Sequence, residues 1–162
     1  MNQTVYSKII ISFLIIFWVI PLDAKLIKPS TNGEEKEILI INGKRRLYYP
    51  LIEEGLIYSV EGPTRLEFIS RFPVLKKKKK SHPYNYIIVI NSQDTVKVNH
   101  RYKIQRSIKS VQHPKHYYTH SGNYFINLDK GPNTIEILQG KDLKYPVMLR
   151  VLSKDFESMR KK

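Results

Sequence analysis

A chain of 162 residues with 28 Lys and Arg against 14 Asp and Glu carries a formal net charge of +14, which directs it toward anionic partners. It has no cysteine, and this excludes disulfides, thiolate metal sites and cysteine nucleophiles together. Abundant Ile, Asn and Tyr accompany the Lys, as in an AT-rich coding sequence, so the lysine count alone does not define a site.

In chain order, Lys8 precedes an apolar run at 9–20, which Pro21 closes and Ala24 follows. A basic head, an apolar segment too short to span a bilayer and a small residue form the pattern of a secretory signal peptide. Residues 1–24 are therefore expected to be removed on export, and with no Cys after the run a lipid-modified N-terminus is excluded. Lys8 and Asp23 cancel, so the mature chain of about 138 residues keeps the full charge. A chain of that size buries roughly two-thirds of its unfolded surface and can fold without disulfides. Residues 25–36 are polar and read as an extended leader, 37–152 as one domain and 153–162 as a basic tail.

The first strand, 37–41, meets Asn42-Gly43, the dipeptide best suited to the positive φ angles of a two-residue hairpin turn, and 44–50 returns. Further strands are expected at 56–61, 65–72, 86–91, 95–108, 124–128, 134–139 and 145–152. Residues 86–90 are apolar on both faces and read as a central strand. From Thr95 the pattern alternates, with Val96, Val98, His100, Tyr102 and Ile104 on the core face and Lys97, Asn99, Arg101, Lys103 and Gln105 in water. Nine strands in one domain predict an all-β fold, a single antiparallel β-sandwich. The segment from Gly62-Pro63 echoes that from Gly131-Pro132, each a tight link after which apolar side chains drop into the core. Two hairpins with the same turn solution are favoured over a duplicated half-domain.

In these two turn-and-strand segments, 62–71 and 131–137, together with Leu149-Arg150-Val151, the chain resembles β-sandwich accessory modules of exported bacterial proteins. The likeness is one of pattern and extends over roughly 37–152. It implies a sandwich fold. Many such modules have no assigned activity and some related sandwiches bind carbohydrate, so it implies fold more than function.

Charge is the most informative functional feature. Lys76, Lys77, Lys78, Lys79 and Lys80 are consecutive and run into Ser81-His82-Pro83, which reads as a loop because like charges repel and Pro83 cannot donate to a ladder. With Lys97, Arg101 and Lys103 on the wet face of the next strand, they are the expected anion-binding residues. The bland alternative is a solvated loop that keeps an exported protein soluble. A second constellation, His113, His116 and His120 with Tyr117 and Tyr118, is a candidate ligand or metal loop. Its lysines and the lack of any carboxylate between Asp94 and Asp129 oppose a cation, and the plain reading is a polar loop over packed tyrosines.

No catalytic constellation is expected. Glu53, Glu54, Glu61, Glu67 and Glu136 fall mostly in turns or on outer strand faces, Ser70, Ser92 and Ser121 lack a nucleophile-elbow context, and no cofactor motif occurs. The sequence thus favours a non-catalytic exported module, periplasmic, envelope-associated or extracellular, that binds anionic polysaccharide, lipid phosphate or another envelope anion. The alternative is a structural protein that docks to another exported or envelope protein. Nucleic acid ranks below these, since export separates the two and no nucleic-acid motif appears.

Overall fold

The structure is a computed structural model that describes residues 24–75 and 80–155. The segment read as a signal peptide, as far as Asp23, the lysines Lys76, Lys77, Lys78 and Lys79, and residues 156–162 of the expected tail lie outside the described residues. In chain order the strands are β1 (Lys25–Ile27), β2 (Glu37–Ile41), β3 (Lys44–Pro50), β4 (Leu56–Arg71), β5 (Pro73–Val74), β6 (His82–Ile90), β7 (Asp94–Tyr102), β8 (Ile104–Gln105), β9 (Lys109–Ser110), β10 (Tyr117–Thr119), β11 (Gly122–Gln139) and β12 (Met148–Asp155). The fold is all-β: a large curled antiparallel sheet in the order β7-β6-β11-β4-β12-β3-β2-β9, with β1 on β12, and a small sheet β5-β10-β8.

The Asn42-Gly43 turn forms as expected, with φ of 51° and 75° and Ile41 paired to Lys44. The alternation in β7 is also as expected: Val98 is buried, Val96, His100 and Tyr102 are half-buried, and Lys97, Asn99 and Arg101 are exposed. The expected strand 95–108 is shorter, because β7 ends at Tyr102 and the chain crosses into the small sheet through β8. The stretch read as a leader contributes β1, paired to β12 through Leu26 and Leu152, and Ser30 N–H donates to Ile57 O at 2.7 Å.

The largest correction concerns the two Gly-Pro segments. They do not start separate strands; β4 and β11 run straight through them, side by side, and Gly131 pairs with Gly62. The register shifts by one residue between Leu128 and Gly131, a β-bulge. The shift has a clear effect on the core. Before it Leu128 is buried; after it Asn133, Ile135 and Ile137 are. The extra residue moves the buried set from even to odd positions, so both halves of β11 keep one side inward.

The two halves of this long pair belong to different neighbours. The half of β11 beyond the bulge pairs with β6, and the half of β4 beyond Gly62 pairs with β12. Residues of both regions share one core: Tyr84, Tyr86, Ile88 and Val98 pack with Leu66, Phe68, Leu149 and Val151. Phe72 and Tyr84 stack with ring centres 5.7 Å apart, and Tyr84 Oη lies 3.2 Å from Ser70 Oγ. The sheet is thus folded over on itself, which is the sandwich the strand count predicts. A second, smaller core of Leu39, Tyr48, Ile108, Tyr118 and Met148 lies on the other face of β2, β3 and β12.

Candidate functional site

Four of the eight expected anion-binding residues are described, and all four are exposed. Lys97 and Arg101 point outward from β7, the edge strand of the large sheet, and Lys103 and Lys80 are exposed. His82 pairs with Tyr102, so the register places Lys80 and Lys103 at the same end of the β6–β7 hairpin. The other four lysines of the run lie outside the described residues.

The histidines do not gather into one site. His113 and His116 stack with centres 4.8 Å apart and planes 10° from parallel, while His120, exposed beyond β10, donates its backbone N–H to Lys103 O. No three His, Asp or Glu side chains converge on a metal position among the described residues. Tyr118 is fully buried and Tyr117 half-buried, both in β10.

What orders this segment is a residue that sequence reasoning passed over. Glu37, 3% exposed, accepts from Tyr118 Oη at 2.9 Å and from Ser110 Oγ, and its second oxygen lies 2.9 Å from His113 Nδ1. Ser110 Oγ also accepts from the backbone N–H of His113 at 2.7 Å. The hydroxyl bonds the carboxylate and not an imidazole, so the trio lacks the base-to-nucleophile contact of acyl transfer. Its evident role is to pin the loop to β2.

Burial lowers the pKa of His100 and of His116, where the neighbouring His113 acts in the same direction and Glu37 opposes. A base with a lowered folded-state pKa takes its proton first in the unfolded chain, so stability is greatest above the ordinary value of 6.5 and falls as pH drops through it. Urea unfolding on either side of that pH is expected to show the loss. His100→Gln is expected to flatten the slope; an unchanged slope would count against this half-buried ring as its source.

The feature with most chemical capacity lies elsewhere, on the outer face of β3, β12, β4 and β11. A groove of about 420 Å³ is lined there by Lys44, Arg46, Arg71 and Arg150, with Asn42, Ser121 and Asn123, over a floor of Ile41, Tyr48, Ile69 and Leu152. Among the described residues no carboxylate lines it. Glu67, beside Leu152 in the register, is held by Lys154 at 3.0 Å and accepts from Asn123 Nδ2 at 3.1 Å.

Two of the guanidiniums are fixed. Arg71, 6% exposed, donates from Nε to Tyr48 Oη at 3.2 Å and from Nη1 to Gln105 Oε1 at 2.9 Å and Thr119 O at 2.7 Å. Arg150, half-buried, donates from Nη1 to Leu47 O at 3.2 Å. Burial lowers the pKa of Arg150, and the Arg46 charge pushes the same way. Guanidiniums stay protonated, so the Arg150 charge is held partly desolvated, with the Arg46 charge adding a smaller repulsion, and a bound anion would offset both. Sequence reasoning missed the site because its cations come from three separated strands.

No family model matches the chain, and no curated protein matches it. Among solved structures, an exo-β-1,3-galactanase from Phanerochaete chrysosporium with β-1,3-galactotriose aligns over 81% of this chain at 11% identity and a TM-score of 0.43. The same enzyme with galactose aligns over 81% at 12% identity and a TM-score of 0.37. The chain spans 29% of the first and 26% of the second, less than a third of either.

Proposed function

We propose that the chain is an exported, non-catalytic binding module that holds an anionic glycan or envelope polymer through Lys44, Arg46, Arg71 and Arg150. The observation that carries this reading is the groove itself, which four cations line and which no carboxylate among the described residues lines. Fixed guanidiniums lose little freedom when they bond an oxyanion, and their planar fork suits carboxylate, sulfate and phosphate groups. The row of Lys97, Arg101 and Lys103 with Lys80 adds a field that draws anions toward the molecule without enclosing them. Export rests on the leading segment, which supplies the compartment in which such polymers are met.

Titration of the protein with heparin tests the reading. Arg46→Gln is expected to weaken binding about tenfold, equivalent to ~1.4 kcal/mol, and salt near 1 M, where screening acts over about 3 Å, to abolish it. Lys97→Gln is expected to change affinity far less. Binding that ignores Arg46 but follows Lys97 would move the site to the β7 edge.

A further inference from the structure

We infer that the groove reads a linear anionic polysaccharide along its length and does not hold a single anion; this rests on the reading above. The register places its arginines on a diagonal. Arg71 on β4 is opposite Met148, two residues from Arg150, which is opposite Ile69. On the other side of β12, Met148 is opposite Pro50 and Leu149 opposite Tyr49, which brings Arg150 beside Tyr48, two residues from Arg46. Arg71, Arg150 and Arg46 therefore step across three neighbouring strands, one strand and two residues at a time. Diagonal neighbours in a sheet lie roughly 7–8 Å apart, so the row extends about 15 Å. Lys44 continues it on β3.

A row of about 15 Å between backbone positions exceeds the span of one small ion. Arg71 is held by Tyr48 Oη, Gln105 Oε1 and Thr119 O, and Arg150 by Leu47 O, so both are fixed in place along the row. The cations stand at successive positions on three strands, and a ligand with repeated charges gains from such positions as linked contacts. The rest of the lining selects the polymer. Asn42, Ser121 and Asn123 suit hydroxyl groups, and the aromatic side chain in the groove, Tyr48, is 2% exposed and offers no face for base stacking.

The test compares two length series, oligogalacturonates and heparin-derived oligosaccharides, each from its shortest member upward, with a single-stranded oligonucleotide of equal charge. Affinity in at least one series is expected to rise more than tenfold with length and then level off, and the oligonucleotide to bind more weakly than the longest glycan. Arg46→Gln with Lys44→Gln, both exposed positions, is expected to bring the plateau to a shorter length. Affinity independent of length, lost on Arg46→Gln, would overturn the polymer and leave the anion groove standing. Tighter binding of the oligonucleotide would overturn the glycan. If no anion binds, both readings fall.

Discussion

Gly62→Ala is expected to cost about 3 kcal/mol or to prevent folding, while Gly131→Ala, at the position paired with it, costs about 1–2 kcal/mol. The two glycines serve different needs. A Cβ on Gly62 would overlap Asp129 O, a backbone atom of the bulge that cannot swing aside. A Cβ on Gly131 would meet nothing within 4 Å, and only its φ of 107° resists a side chain. Asn133 closes the same bend, donating from Nδ2 to Asp129 O at 3.1 Å and Gly131 O at 2.9 Å. Equilibrium urea unfolding checks the contrast. Small and equal losses would mean that the bulge yields easily and does not fix how β4 and β11 pass from one set of neighbours to the other.

That bend also shows what a sequence can and cannot disclose about this fold. The Asn42-Gly43 turn and the alternation along β7 are legible because local backbone preference and burial decide them within a few residues. Gly-Pro carries the same local meaning of a chain break, and at 62 and 131 that meaning is overridden. Pairing between segments far apart in sequence holds the strands continuous, and the resemblance between the two segments is partly that of neighbours sharing one bend. The candidate site is obscured in a similar way. A run of lysines draws attention because its charges are adjacent in sequence, whereas Arg46, Arg71 and Arg150 become neighbours only through strand register. Glu37 resembles any acid at a strand start until Ser110, Tyr118 and His113 close around it.

Arg71→Met is expected to destabilise the protein by about 3 kcal/mol, although Met fills much of the same space. The guanidinium joins three elements: Tyr48 on β3, Gln105 on β8 and Thr119 on β10. Removing it leaves Thr119 O without its charged donor and loosens the small sheet from the large one. Hydrogen exchange should therefore quicken first at Tyr118 and Thr119, ahead of the main core around Phe68 and Tyr86. Arg71→Lys is not expected to rescue the loss, since one ammonium cannot reproduce the divergent donors of a planar fork. Arg46→Gln should behave in the opposite manner, with stability changed by less than about 0.5 kcal/mol and anion binding reduced. Arg46 is exposed and makes no ion pair among the described residues, and its loss removes the repulsion it exerts on Arg150. If Arg71→Met left stability untouched, or Arg46→Gln unfolded the chain, the division between an arginine that holds the groove together as well as lining it and one that serves the ligand alone would be wrong.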